Sequence, residues 1–145
     1  MSRHVQITFD CADPTGMAEF WSTALGYRVQ GPPGGYETWE RFLDAMDLPP
    51  ESRNDASAVV DPDGFAPRLF FRRVHEGKRA KNRVHLDVRA APGLDGDERM
   101  AALETEAERL VSRGATRIQR YDPASTLEAG HIMMADPEGN EFCLD

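Results

Sequence analysis

Alternation of apolar and polar residues marks the beginning of each half of the chain. The first half opens with Val5-Gln6-Ile7-Thr8-Phe9-Asp10 and the second with Val84-His85-Leu86-Asp87-Val88-Arg89. A period of two is typical of a strand that buries one face. Each segment is therefore predicted to be a half-buried strand, and Gln6 and His85 occupy equivalent positions.

Each strand is followed by residues with helical periodicity. In the first half, Asp13-Pro14 is a helix start, Gly26 is a stop, and the apolar stripe between them is Met17, Phe20, Trp21, Ala24 and Leu25. In the second half, Asp97 is the predicted cap, Gly114 is the stop, and the inner face is Met100, Leu103, Ala107, Leu110 and Val111.

A third, shorter helix is predicted in the first half alone. Thr38 can cap it, and its apolar face consists of Trp39, Phe42, Leu43 and Met46. We interpret it as a lid packed on the sheet, with a substrate-stacking role for Trp39 as the alternative.

A related turn then recurs in the two halves. Asp61-Pro62-Asp63-Gly64 and Asp136-Pro137-Glu138-Gly139 both suit a hairpin, because Pro fits the second position of a type I turn and Gly the fourth. Internal repetition at this length predicts a duplicated module, strand-helix-strand-strand-strand.

The strands are expected at about 4–11, 27–30, 57–61 and 67–74, and at about 83–89, 116–120, 130–135 and 140–145. We expect one domain over 1–145, with module one at about 1–74, a linker at about 75–81 and module two at about 82–145.

Charge and composition narrow the classes of partner. The chain has 17 Lys and Arg against 25 Asp and Glu, a net charge of −8, which disfavours nucleic acid and anionic membranes. No apolar run approaches the roughly 20 residues of a membrane span. With two cysteines and no signal-peptide pattern at the start, we expect a cytoplasmic protein.

The basic residues concentrate in Arg68–Arg83. Arg68 or Arg72 could bind a small anion, and the alternative is that this segment is a solvated strand edge.

Three motifs together resemble the vicinal-oxygen-chelate superfamily, which includes glyoxalases, extradiol dioxygenases, fosfomycin-resistance enzymes and bleomycin-binding proteins. They are Val5–Pro14, Lys81–Val88 and Asp136–Cys143, and they look most like bacterial glyoxalase-like proteins. The resemblance implies an α+β fold of two βαβββ modules that form one curved, eight-stranded mixed sheet around a cleft, with the helices outside. Such folds often dimerise, so a homodimer is expected, side by side or swapped, with a monomer as the open alternative.

In metal-dependent relatives the ligands come from the first and last strand of each module. Carried over, these positions are Gln6, His85 and Glu141, and Glu141 could also shuttle a proton. The fourth position falls in Pro67–Arg72, which has no carboxylate. Imidazole, carboxylate and amide donors suit Zn, Fe, Mn or Ni. His4 could substitute for Gln6, and a metal-free polar cluster is the alternative.

Two functions lead at this stage, ahead of a third in which the pocket has decayed and the module acts by protein association. The first is a divalent-metal-dependent lyase, isomerase or dioxygenase that acts on a small oxygen-rich or anionic substrate and uses no nucleotide cofactor. The second is a metal-free protein that sequesters an aromatic molecule or antibiotic. In either case the residues expected to line the pocket are Trp39, Arg68, Phe70, Phe71, Arg72 and His131.

Overall fold

The computed structural model describes all 145 residues and divides the chain into two compact units. The first unit is Met1–Gly77 and the second is Lys78–Asp145, so that the division falls inside the predicted linker. No helix is both long enough and apolar enough to cross a membrane.

The first unit contains four strands and two helices. In chain order they are β1 (Gln6–Cys11), α1 (Pro14–Leu25), β2 (Arg28–Val29), α2 (Trp39–Ala45), β3 (Ala56–Val60) and β4 (Arg68–Arg73), with a 3-10 turn at Pro50–Ser52. The strands form one mixed sheet in the order β1-β4-β3-β2, in which β1 and β4 are parallel and the other pairs antiparallel.

The second unit repeats this topology without the short helix. Its elements are β5 (Asp87–Val88), α3 (Gly96–Val111), β6 (Thr116–Tyr121), β7 (His131–Ala135) and β8 (Glu141–Leu144). The strand order is β5-β8-β7-β6, and β5 and β8 are the parallel pair. The predicted α+β fold with two βαβββ modules is therefore confirmed, and strand pairing gives two four-stranded sheets.

Both helices that follow a first strand pack their apolar stripe against their own unit's core. In α1 the Asp13 side chain accepts a hydrogen bond from the Gly16 backbone N–H, and Gly26 ends the helix at a φ of 67°. Trp21 is completely buried and lies 5.4 Å from the Phe9 ring, centroid to centroid. In α3, Leu103 and Leu110 are completely buried.

The turns after β3 and β7 are built around an aspartate, as the repeated motif predicts. Asp61 accepts hydrogen bonds from the backbone N–H groups of Asp63, Phe65 and Ala66. Asp136 accepts from Glu138 and Asn140 in the same way. These hydrogen bonds to Asp61 also lower its pKa, the bond from Ala66 contributing most.

Three details differ from the sequence-based expectation. The helix α3 begins at Gly96, so Asp97 lies in its first turn instead of capping it, where its charge still favours the helix dipole. Val111 is 46% exposed, because the helix ends there and the stripe turns away from the sheet. The strand β5 is only two residues long, and its Asp87 and Val88 pair with Cys143 and Leu144 of β8.

The neighbouring residues Leu110 and Val111 give a matched test of the buried face of α3. Leu110→Ala should lower the free energy of unfolding by about 2–5 kcal/mol, because it leaves a cavity in the core. Val111→Ala should change it by less than about 0.5 kcal/mol, since the side chain is half exposed and Ala is the better helix former. Urea unfolding of both variants measures the difference, and equal losses would contradict this packing.

Candidate functional site

One cavity lies entirely within the second unit. Its volume is about 670 Å³. It is bordered by β5 and the residues on either side of it, by the start of β7 and by the loop before β7. Its charged and aromatic lining residues are His85, Asp87, Arg89, Tyr121, Asp122, Glu128, His131 and Asp145. We call it the second-unit cavity.

Three potential metal donors converge on the wall of this cavity. The parallel register places Asp87 beside Cys143, and His85 lies two residues earlier, on the same side of the chain as Asp87. One ligand atom from each of the three residues lies within 4.8 Å of the other two. A thiol sulfur, an imidazole nitrogen and a carboxylate oxygen therefore face one point.

The three groups differ in their surroundings. Cys143 is 5% exposed, whereas the side chains of His85 and Asp87 are 40% and 47% exposed. The Nδ1 atom of His85 lies 3.3 Å from Oδ1 of Asp87. Burial raises the pKa of the Cys143 thiol, and the negative charges of Asp87 and Asp145 raise it further. These negative charges, which disfavour a bare thiolate, would favour a bound cation.

Arginine side chains pair with the cavity carboxylates Asp145 and Asp122 but not with Asp87. Asp145 forms ion pairs with both Arg89 and Arg99. Arg99 is buried and also donates at 2.8 Å to the carbonyl oxygens of Ala129 and Gly130, which fixes the loop that enters β7. The only ionic partner of Asp87 is His85, so no arginine or lysine pairs with this carboxylate at the donor cluster.

The predicted pocket residue His131 also lines this cavity. Its ring stacks on Tyr121 with centroids 4.6 Å apart and planes 18° from parallel. The imidazole is thereby held at the cavity wall in a defined orientation.

Glu141, the carboxylate that the sequence favoured, is engaged elsewhere in the second unit. One carboxylate oxygen accepts a hydrogen bond of 2.8 Å from the backbone N–H of Asn82, and Lys78 approaches to 3.2 Å. The hydrogen bond from Asn82, with a smaller contribution from Lys78, lowers the pKa of Glu141 despite partial burial. Glu141 thus anchors the segment that enters β5.

Gln6 belongs to the first unit, where it contacts a cation. Its Oε1 accepts a hydrogen bond from Nη1 of Arg68, its register partner on β4, and its Nε2 lies 3.3 Å from Thr8 Oγ1. His4 precedes β1 and is exposed. The predicted ligand set of Gln6, His85 and Glu141 extends over both units and stays a prediction.

The remaining predicted pocket residues lie in the first unit and separate into three environments. Trp39, Arg68 and Phe70 line a second cavity of about 240 Å³, which we call the first-unit cavity. Phe71 points to the opposite face of β4, where it is completely buried against Phe9, so it is a core residue. Arg72 is exposed and pairs with Asp10 at 3.2 Å.

Sequence reasoning did not identify Asp87 and Cys143 as metal donors. Asp87 enters the sequence analysis only as part of the alternating segment Val84–Arg89, and Cys143 only as the end of the motif Asp136–Cys143. The signal that could have found them is strand alternation: Asp87 shares a face with His85, and Cys143 shares one with Glu141. Only the register of β5 against β8 shows that Cys143 lies beside Asp87.

Comparisons with known proteins identify the class to which this fold belongs. Among solved structures, the chain resembles the fosfomycin resistance protein FosX from Mesorhizobium loti, with a TM-score of 0.61 and 14% identity over 99% of this chain and 90% of that one. It also resembles a glyoxalase/bleomycin resistance protein/dioxygenase family enzyme from Burkholderia phytofirmans, with a TM-score of 0.56 and 16% identity over 96% and 94% of the two chains. These likenesses and the duplicated module define a vicinal-oxygen-chelate fold.

Within that class, the model of the glyoxalase-like domain matches residues 6–144. The chain therefore belongs to the glyoxalase-like domain family. A search of curated proteins gives no match. A further structure with the same fold is a variant of FosX from Listeria monocytogenes in complex with Mn(II) and a dihydroxypropylphosphonic acid, with a TM-score of 0.61 and 12% identity over 99% of this chain and 89% of that one.

The anchoring role of Glu141 predicts a pH-dependent loss of stability in Glu141→Gln. A carboxylate with a lowered pKa in the folded state stabilises the protein above its unfolded pKa, and this contribution disappears as pH falls through the folded value. At pH 7 the variant should lose about 1–2 kcal/mol, because a charge-assisted hydrogen bond and an ion pair are weakened.

The measurement is thermal unfolding of wild type and variant between pH 7 and pH 3. The difference between them should shrink as the pH falls below about 4. Glu76→Gln, at an exposed residue outside the helices and strands, is the control and should unfold like wild type at every pH. A Glu141→Gln loss that does not depend on pH would contradict this role.

Proposed function

We propose that this chain is a metal-dependent enzyme in which His85, Asp87 and Cys143 hold one divalent transition-metal ion at the wall of the second-unit cavity. The observation that carries the proposal is the convergence of three donor atoms within 4.8 Å of one another. The reaction is of the lyase, isomerase or dioxygenase type, and its substrate is a small oxygen-rich molecule, as the family resemblance implies.

The chemistry of the donor set fits such an ion. A thiolate and an imidazole favour Zn or Fe over the harder Mg and Ca ions, and a carboxylate can complete the set. Three protein donors leave coordination positions for water or substrate, which is the pattern of catalytic sites. Two of the donors are part-exposed to the cavity, so that a ligand can reach them.

The same reasoning favours Cys143 over Glu141 as the donor from β8. The oxygens of Glu141 already accept the Asn82 backbone N–H and face the ammonium group of Lys78, and a metal would have to displace both. Gln6 faces the guanidinium of Arg68, whose charge would repel a metal ion. His85 is common to both donor sets.

When bound, the ion would act as a Lewis acid on substrate oxygens. The protein side chains around it account for the remaining requirements of the reaction. His131, held by its stack on Tyr121, can exchange a proton with a substrate in the cavity. Arg89 shares its carboxylate partner Asp145 with Arg99, so it retains capacity for an anionic substrate group.

The metal-free binding function has separate support in the first unit. Trp39 and Phe70 give the first-unit cavity an aromatic lining, and Arg68 adds a positive charge. This candidate needs no metal donor and can coexist with the first.

Metal titration of the whole chain tests the proposed donor set. The wild-type protein, stripped with chelator, should bind about one equivalent of Zn(II), and Co(II) should give a sulfur-to-cobalt charge-transfer absorption. Cys143→Ser should abolish that absorption, and both Cys143→Ser and His85→Ala should weaken Zn(II) binding by at least about 100-fold, since even residues that only orient a ligand cost 10–100-fold. Cys11→Ala, at the other cysteine of the chain, is the control and should retain both properties.

Glu141→Gln separates this donor set from the one predicted by the sequence. If His85, Asp87 and Cys143 bind the ion, Glu141→Gln keeps the absorption band and most of the affinity. If the variant loses Zn(II) while Cys143→Ser keeps it, the sequence-predicted set is correct. The absence of Zn(II) and Co(II) uptake by wild-type protein, measured by calorimetry, would overturn the proposal.

A further inference from the structure

The first-unit cavity lies between the inserted helix α2 and the exposed face of β3 and β4. It has a volume of about 240 Å³, smaller than the roughly 300–1,000 Å³ of sites for drug-sized ligands. A molecule with a single ring is therefore the largest rigid occupant that we expect. Its apolar lining consists of Trp39, Leu43, Leu48, Ala56, Ala58 and Phe70.

Arg68 is the one charged residue of this lining without an ionic partner. Arg53 pairs with Asp44 at 2.7 Å, and Asp55 pairs with Arg73 at 3.2 Å. The guanidinium of Arg68 instead donates from Nε to Gln30 Oε1 at 2.7 Å and from Nη1 to Gln6 Oε1. Both acceptors are neutral amides, so the cavity keeps an uncompensated positive charge.

The position of this guanidinium is fixed from three sides. The amide oxygens of Gln30 and Gln6 accept hydrogen bonds from the guanidinium group. The Phe70 ring packs against its face, with 5.1 Å between Cζ of Arg68 and the ring centroid. Arg68 is half-buried, so its charge is only partly solvated. The Nη2 group makes no hydrogen bond within the protein and remains available to an acceptor. A part-buried cation of this kind favours an anion, since a partner offsets the cost of desolvation.

Trp39 is held at the same cavity by a hydrogen bond to Gln30, which also contacts Arg68. Its Nε1 donates at 2.8 Å to the carbonyl oxygen of Gln30, the residue whose side chain accepts from Arg68. Gln30 therefore links the aromatic wall to the cation and sets the distance between them. The indole N–H is already used, which leaves the ring itself for apolar contact with a ligand.

We propose that the first-unit cavity binds a small aromatic monocarboxylate, whose carboxylate pairs with Arg68 and whose ring packs among Trp39, Phe70 and the apolar lining. Nη2 and the second N–H of Nη1 can donate two parallel hydrogen bonds to a carboxylate, and this geometry favours a carboxylate over a spherical ion. The site uses no residue of the His85, Asp87 and Cys143 cluster. It is therefore independent of the metal proposal and stands if that proposal fails.

Benzoate is the probe for this site, and chelator-treated wild-type protein is the sample, so that no metal contributes. Calorimetry should show saturable binding, and tryptophan fluorescence should change with it. Trp39→Phe should abolish the fluorescence change, because the only other tryptophan, Trp21, is completely buried in the core. Benzamide, which has the same ring without the charge, should bind at least about tenfold more weakly.

Substitution of Arg68 tests the role of its charge and shape. Arg68→Met should lower benzoate affinity by about 10- to 100-fold, because it keeps the apolar stem and removes the cation. Arg68→Lys keeps the charge without the fork and should give an intermediate affinity, which also covers the case in which Arg68→Met does not fold. Arg72→Met, on the same strand but paired with Asp10, is the control and should bind within about twofold of wild type.

Three results would overturn the proposal. The first is an absence of benzoate binding by folded wild-type protein at millimolar concentration. The second is equal affinity for benzoate and benzamide, which would remove the role of the cation. The third is competition by inorganic phosphate at the affinity of benzoate, which would identify a general anion site in which the aromatic lining has no part.

Discussion

Parallel pairing between the first and last strand of each unit determines which side chains meet at both candidate sites. In a parallel pair the register is set by backbone hydrogen bonds along the whole ladder, so each residue faces a fixed partner. Gln6 lies beside Arg68 in the first unit, and Asp87 lies beside Cys143 in the second. Since side chains alternate between faces, a slip of one residue would bury the polar set and expose the core residues. The register is consequently protected by core packing, for example by Leu69 and Phe142.

The side chains on the parallel strand pair differ in charge between the two units. At the parallel pair of the first unit, a guanidinium faces an amide and has no carboxylate partner. At the parallel pair of the second unit, a carboxylate and a thiol lie beside an imidazole, and arginines are directed to Asp145 instead. The duplicated scaffold thus offers a cation in one copy and cation ligands in the other. Both units have the same parallel pairing of first and last strands, so the difference in charge comes from the side chains that these strands carry.

The fold was predictable because its signals are local and repeated. Asp13, Gly26 and the two aspartate turns encode the element boundaries through hydrogen bonds to nearby backbone groups, and the structure confirms these positions. The candidate sites were less predictable, because they depend on contacts between distant residues. Sequence spacing does not reveal that the Glu141 carboxylate contacts Asn82 and Lys78. Nor does it reveal that the donor atoms of Cys143 and His85 lie close together. Phe71 lies in the core and Phe70 lines a cavity, because neighbouring residues of β4 face opposite sides, and only packing decides which side is the core.

The helix α2 is weakly attached to the rest of the first unit, and this affects how often it opens. None of its seven residues is buried, whereas α1 buries six of its twelve. Its main polar tether to the sheet region is the hydrogen bond from Trp39 to Gln30. Segments with few buried contacts open locally far more often than the whole domain unfolds, and a ligand that binds beneath them shifts this equilibrium toward the closed form. The backbone amides of α2 should therefore exchange with solvent faster than those of α1, and an occupant of the first-unit cavity would slow their exchange without altering the fold.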